Sequence, residues 1–529
     1  MKRRHFIRQS SRQLVRFAVA AAGMPLLSQC TKREGSKRAG SKRAGSKREG
    51  TNGDRTGRSV ALKRITSKAG LLEYSLTAKA QLYNLAGRSK QQTTRLLTYN
   101  GLFPGPILEA RAGDTVRLTL VNELDSPTNL HYHGLHISPE VDNVFREVAA
   151  GVGASTDAYT DASGENRYTY EFQIPKNHPA VTGWYHPHYH LNVAPQVFGG
   201  LAGPLIVRGD LDDIPEIQQA EEEILVLQDF EPALHSSPQK EGAPLPTLAK
   251  RWGREGSLLL ANGQQNPVIG LSQNGLLRLR LINASASRIY QLQMPEHPWF
   301  LIATDRGPLA EPTGLDALFL SPGERAELLI SASREPGDYQ IFSLPYDRGV
   351  SKMVESMGDA IEQMPGVVEQ KKTAIATLRY MPSSHTEPLP LPKQLIPVEP
   401  LPAPHTTREF VLDHGIYRSA ASTGFTINAQ SFVMGRVNTQ VKLNQVEDWR
   451  IVNKASMDHP FHLHTNRFQV VERNGQPEPF RAWKDTVSVG GYETVTIRVK
   501  FEDFTGRTVY HCHILDHEDQ GMMGIVEIS

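Results

Sequence analysis

The chain predicts an all-β protein of three sandwich domains behind a basic, disordered head. Short apolar runs such as TVRLTLVN (115–122), LLRLRLIN (276–283), AELLISA (326–332) and TVTIRVKF (494–501) are bounded by Gly, Pro, Asn and Asp, and long helical periodicity is absent. The chain also repeats itself: VRLTLVN ending at Asn122 recurs as LRLRLIN ending at Asn283 and as DWRIVN ending at Asn453. Three related units therefore follow one another. With 529 residues and 39% hydrophobic content there is material for several cores, and units of about 120–160 residues suit that length.

At the amino terminus, MKRRHFIRQ sets Arg3 and Arg4 before Phe6 and Ile7, and a mildly apolar run follows from Phe17 to Leu27. Residues 1–30 resemble a twin-arginine export signal, which makes the export machinery a partner and a periplasmic or cell-envelope location the expectation. The run is short and broken by Pro25, so it is no transmembrane span. The two cysteines are Cys30 and Cys512; if Cys512 binds metal, no disulfide is left to form. Cys30 ends LLSQC, which resembles a lipoprotein cleavage box except at Gln29. Lipid attachment at Cys30 and a soluble periplasmic form both stand. Residues 31–69 open with TKREGSKRAGSKRAGSKREG, a five-residue repeat expected to be a disordered tether. Through Arg64 the head carries eighteen Lys and Arg against three acids, whereas the whole chain is only +2, so the folded body is about thirteen negative. The basic tail can adhere to anionic lipid or cell wall, or be a repeat expansion without function; no specific nucleic-acid partner is expected.

The first sandwich domain is placed at 70–209 and the second at 222–380. Eight prolines between Pro382 and Pro404 mark 381–407 as a linker. Proline-rich chain is stiff and extended, so it can cross the surface and return a third domain, 408–529, against the first.

Ten of the nineteen histidines concentrate in four stretches: HYHG (His131, His133), WYHPH (His186, His188), HPFHLH (His459, His462, His464) and HCHILDH (His511, His513, His517). A lone imidazole is usually a surface or satisfied core group. Four His-X-His pairs with a cysteine point to metal instead. Alternate residues of a strand share a face, so His511 and His513 look one way and Cys512 the other, and one tripeptide can serve two centres. Cys512, His517 and Met522, at steps of five and five, offer a thiolate, an imidazole and a weak thioether, most of the ligand set of a blue copper site; its second histidine must come from elsewhere. Counting nine and eleven residues on from the repeated asparagines gives His131 and His133 in the first unit and His462 and His464 in the third, but Leu292 and Met294 in the middle one. Likewise YHPH matches YHCH, with Pro187 opposite Cys512, Asn192 opposite His517, Val197 opposite Met522, and Thr128 opposite His459. The first and third units each give four histidines to a shared cluster, which must lie at their interface. Only the third keeps the mononuclear set.

With these motifs, and with TYNGLFPGPILEARAGDTV, LSPGERAELLI and WKDTV, residues 70–529 resemble the multicopper oxidases, whose three domains have the cupredoxin fold, a Greek-key sandwich. The resemblance implies four coppers. A type 1 ion would take His459, Cys512, His517 and axial Met522, and a type 2 ion His131 and His462. The type 3 pair would take His133, His186 and His513 on one ion and His188, His464 and His511 on the other. It implies that a small reducing substrate gives single electrons to the type 1 site, that they pass through Cys512 to His511 and His513, and that dioxygen is reduced to water. Asp142, nine residues after His133, and Glu518, directly after His517, stand where proton donors are expected. Met522 as a weak axial ligand implies a low to middling potential. A monomer is expected.

In the copper-efflux branch of this family, a methionine-rich insertion and an Asp and Met beside the type 1 histidine are expected. Met457 fits, Ala455 stands where the acid should be, and Met353, Met357 and Met364 make a modest cluster. Asp458, directly before His459, is instead a candidate to receive a substrate hydroxyl or amine. The resemblance therefore reads first as a laccase-like oxidase of phenols and aromatic amines, second as a metal-ion oxidase, and third as a non-enzymatic copper-binding protein. Some relatives of the fold have lost their coppers and serve in cell division; here all twelve ligand positions are filled. His136, His178 and His190 lie off the matched positions and are expected to be structural or to support the ligands.

Overall fold

The computed structural model describes residues 61–83, 94–151, 165–232, 251–349, 370–414 and 424–529. The export signal, Cys30, the repeat tether through residue 60, and Met353, Met357 and Met364 lie outside them. Strands dominate, and they pair within three stretches of chain. Between Arg64 and Arg208 a four-stranded sheet contains Leu71–Tyr83, Thr94–Tyr99, Thr115–Asn122 and Arg167–Gln173, and a five-stranded sheet contains His131–His133 and Val181–His186. Six- and five-stranded sheets follow between Glu221 and Met381, and again between Thr406 and Ile528.

In each stretch the strand that carries the repeat runs parallel to an earlier long strand: Leu71 lies opposite Thr115, Glu221 opposite Leu277 and Thr406 opposite Glu447. Alternation puts Val116, Leu118 and Leu120 into the first core. Leu276–Asn283 is buried on both faces. Its outward Arg278 and Arg280 are neutralised by Glu327, Glu222 and Asp212, and Arg280 also donates to Thr182 of the first domain. Arginine is suited to such a site because its planar fork bonds several carboxylates at once.

The asparagine ending each repeat has a fixed task. Asn122 Nδ2 faces the carbonyls of Ser126, Val148 and Ala149 at 2.9, 3.0 and 2.9 Å while its Oδ1 accepts the Leu124 N–H. Asn283 meets the carbonyls of Arg288 and Leu320 at 2.8 and 2.9 Å and accepts from Ser285. Asn453 meets those of Met457, Val489 and Gly490 at 2.7, 3.0 and 2.9 Å and accepts from Ala455. Each staples the loop leaving its strand by satisfying buried backbone groups. In the first and third domains that loop leads into the His-X-His strand.

Between Met381 and Thr406 the chain has neither helix nor strand, as prolines lacking N–H donors dictate. Leu389, Leu395 and Ile396 donate backbone N–H groups to Asn274, Ala310 and Leu309 of the middle domain. Gln469 of the third domain then takes over, meeting the Leu401 N–H and the Glu399 carbonyl at 3.1 and 2.7 Å. One correction to the sequence reading arises at the other end. Arg64–Thr66 pairs in parallel with Ile107–Arg111, so it is an edge strand within the stretch assigned to the tether. Three residues are too few for a period to show.

Candidate copper centres

The first and third domains lie within the compact unit Asp54–Ser529 and carry their histidines on equivalent strands: His131 pairs in register with His186 inside the first domain, and His462 with His511 inside the third. The short helix Val193–Phe198 packs on Leu515–Asp519, and Asp519 accepts the Ala194 N–H at 2.9 Å.

The mononuclear site is assembled wholly within the third domain. Cys512 ends the strand Gly506–Cys512, His459 begins His459–Leu463, and one helical turn from Leu515 brings His517 back to them. Cys512 Sγ lies 3.4 Å from His459 Nδ1 and 3.7 Å from His517 Nδ1, and the two Nδ1 atoms are 3.2 Å apart. His517 Nε2–H donates to the Arg251 carbonyl at 2.9 Å, which leaves its Nδ1 lone pair facing the sulfur. Phe425 stacks on the same ring at 4.0 Å. Met522 is fully buried and anchored by backbone bonds to Cys512 and His517. Burial pushes the Cys512 thiol up and both imidazoles well down. A thiolate here therefore needs a cation, and the neutral imidazoles suit one.

Eight histidines converge at the domain interface. His188 Nε2 and His464 Nε2 lie 3.1 and 3.0 Å from His511 Nε2. The rings of His133, His186 and His513 are 5.1 to 5.8 Å apart, and those of His131 and His462 are 5.8 Å apart. The sets read from the sequence are thus brought together, along with further groupings such as His131 with His464, whose rings stack at 3.9 Å. Burial, and then the neighbouring imidazoles, hold His131, His133, His188, His462 and His511 well below the usual range. Nε2 of His131, His186 and His462, Nδ1 of His133 and both nitrogens of His513 are buried without hydrogen-bond partners. Orphaned lone pairs in a pocket walled by neutral imidazoles fit copper ions, which would satisfy them.

Two expected acids lie against the cluster. Asp142 Oδ1 is 2.7 Å from His131 Nδ1 and Oδ2 is 3.1 Å from His464 Nδ1. Glu518 is fully buried, with Oε1 3.4 Å from His188 Nδ1 and Oε2 3.3 Å from His511 Nδ1. Burial, reinforced by Asp519, raises its pKa well above the ordinary carboxyl value. Asp458 is a correction. It is 5% exposed, its Oδ2 accepts from the Tyr346 hydroxyl at 2.6 Å and its Oδ1 from the Gly491 N–H at 3.0 Å. It braces the loop before His459 and does not present an open acceptor to substrate. Of the other histidines, His136 bonds the Thr465 carbonyl and Asp503, and His178 accepts the His136 N–H, while His190 packs on Phe432.

Sequence reasoning missed Asp485, within WKDTV. Its Oδ1 is 3.2 Å from His133 Nε2 and its backbone carbonyl accepts from His462 Nδ1 at 2.8 Å. Burial alone would raise its pKa; the Arg325 guanidinium, with Arg306 and the Thr486 hydroxyl, outweighs that and holds it below the usual carboxyl value.

Family descriptions of multicopper oxidases match residues 82–212, 221–358 and 402–529. The chain is 28% identical over 474 residues to the multicopper oxidase mco of Staphylococcus haemolyticus, covering 87% of this chain and 89% of that protein. It is 30% identical over 450 residues to the cell division protein FtsP of Photorhabdus laumondii, covering 82% and 85%. A solved structure described as a multicopper oxidase from Campylobacter jejuni, a metallo-oxidase, superposes with a TM-score of 0.72 at 30% identity, over 88% of this chain and 93% of that one. The three matched segments, the shared fold and the two histidine-lined centres together make the chain a member of the multicopper oxidase family of oxidoreductases.

Proposed function

We propose that the chain is a four-copper oxidase that accepts single electrons from a small reducing substrate near Cys512 and delivers them to dioxygen at the shared histidine cluster. When bound, the coppers supply the one-electron steps and the reduction of dioxygen to water. The protein supplies position and protons. His459, Cys512, His517 and Met522 would hold the type 1 ion, His131 and His462 the type 2 ion, and the two histidine trios the type 3 pair. The observation that carries this reading is the HCH tripeptide: Cys512 faces the mononuclear site while its covalent neighbours His511 and His513 face the cluster. Backbone thus joins the two centres. Asp142 and Glu518 stand beside ligand histidines, where the reduction of dioxygen calls for protons.

Phenols and aromatic amines are the first donor class. Met457 is 1% exposed and Asp458 is engaged within the protein, so neither presents a ligand atom to an incoming metal ion. A metal-ion donor such as Cu(I) is the second reading, favoured by the relative described as a metallo-oxidase. An exported, cell-envelope location follows from the twin-arginine-like start. A role without copper is disfavoured by twelve ligand-type side chains, all buried. The test is to load the protein with copper, measure metal content and blue absorbance, and compare oxygen uptake with a dimethoxyphenol and with Cu(I). Uptake with the phenol is expected. No uptake with either donor removes the enzyme reading, and uptake with Cu(I) alone reverses the donor order.

A further inference from the structure

The middle domain, which has Leu292 and Met294 where the first and third domains have ligand histidines, nonetheless reaches the cluster. Arg325, at the start of the strand Arg325–Ser331 and fully buried, bonds all three domains at once. Its Nε donates to the Thr182 carbonyl of the first domain at 3.1 Å. Its terminal nitrogens donate to the Gly323 and Asp305 carbonyls of its own domain at 2.8 and 2.7 Å. The same nitrogens clasp both oxygens of Asp485 in the third domain, each at 2.7 Å. LSPGERAELLI and WKDTV, two motifs without an evident task in the sequence, meet here.

What Asp485 does with the grip is specific. His131, His186, His462, His464 and His511 all have Nδ1 turned to an oxygen: the first and fourth to Asp142, the others to backbone carbonyls. Their Nε2 atoms point into the cluster. His133 is reversed. Its Nε2 faces Asp485 Oδ1, and its buried Nδ1 is the nitrogen left without a partner. A carboxylate can only accept, so the proton must sit on Nε2 and the lone pair on Nδ1. Asp485 thus meets two ligand rings, His133 through its carboxylate and His462 through its backbone carbonyl, and the Thr486 hydroxyl, which donates to the same carboxylate, lies 3.3 Å from His133 Nε2. Beside it, Gly323, with φ +83°, lies so close to His513 that a Cβ would come within 2.7 Å of the ring.

We infer that Arg325 and Asp485 are positioning residues by which the middle domain selects the Nδ1 tautomer of His133 and fixes the cluster's geometry. This rests on the copper reading above. A carboxylate behind a ligand histidine fixes the ring and strengthens it as a donor, and losing such a partner typically costs about 10–100-fold in metal affinity. Asp485→Asn keeps the shape, but an amide can present either a donor or an acceptor to Nε2. Arg325→Lys keeps the charge and loses the two-pronged clasp.

The experiment loads wild-type, Asp485→Asn and Arg325→Lys proteins with copper and removes it by chelator competition. It follows the blue absorbance of the Cys512 site separately from the type 2 electron paramagnetic resonance signal and total copper. Cluster copper should be held about 10–100-fold more weakly in the variants, while the Cys512 site keeps its affinity and its blue band. Unchanged cluster affinity overturns the inference. So does equal weakening of both centres, which would mean a merely structural role. Should one variant fail to fold, the other carries the same test. Wild-type protein that takes up no copper at the cluster would instead bring down the copper reading itself, which separates the two failures.

Discussion

Asp142 touches two cluster histidines from different domains, His131 at 2.7 Å and His464 at 3.1 Å, so it is placed to move a proton without leaving its partners. Asp142→Asn should lower dioxygen turnover by about 10²-fold or more, the usual worth of a positioned proton donor, while the blue absorbance stays intact. Single-turnover reoxidation of reduced enzyme checks this, and an unchanged rate would remove Asp142 from the mechanism. Met522 is the proposed axial ligand of the other centre. A thioether stabilises the oxidised ion more than a non-coordinating side chain would, so Met522→Leu should raise the type 1 potential; a redox titration with no rise would count against Met522 as axial ligand. At this scale the histidines were legible because their spacing of two survives in a strand as a shared face. Asp458 was misjudged because the partners that engage it, Tyr346 and Gly491, lie 112 and 33 positions away and no local pattern names them. Arg325 and Asp485 could not be paired from the sequence, since 160 positions separate them and only the packed domains bring them together.

The repeated strand was readable as an element, but the job of its terminal asparagine was not, because the carbonyls it satisfies lie on loops up to 37 positions away. Asn283→Ala would leave the Arg288 and Leu320 carbonyls and the Ser285 N–H without this partner. At about 1–3 kcal/mol for each buried group left unsatisfied, the variant should melt several degrees lower. Its copper content should not change, since none of the proposed ligands lies in the middle domain. Differential scanning calorimetry with metal analysis tests both halves, and loss of copper would show that the middle loop matters to the centres more directly than its hydrogen bonds imply. The linker shows a different limit of sequence reading. Its prolines announced an extended strap, yet its anchoring to Asn274, Ala310 and Gln469 depends on partners that no local pattern names.

Across the whole molecule, the two centres differ in what they tie together. Every side chain proposed for the type 1 ion comes from the third domain, whereas the cluster draws His131, His133, His186 and His188 from the first and His462, His464, His511 and His513 from the third. Bound metal stabilises the folded state by mass action, about 2.7 kcal/mol when free metal is a hundredfold above its dissociation constant. Metal at the cluster must in addition oppose separation of the two domains, which otherwise rests on contacts such as Asp519 with Ala194. Full chelation should therefore lower the melting temperature much more than Cys512→Ser in copper-loaded protein, where only the mononuclear ion is lost. The same variant should be inactive with every donor, because the covalent path to His511 and His513 begins at Cys512. If Cys512→Ser and full chelation lower the melting temperature equally, the cluster is not a clamp between domains, and its eight histidines were folded into place by protein contacts alone.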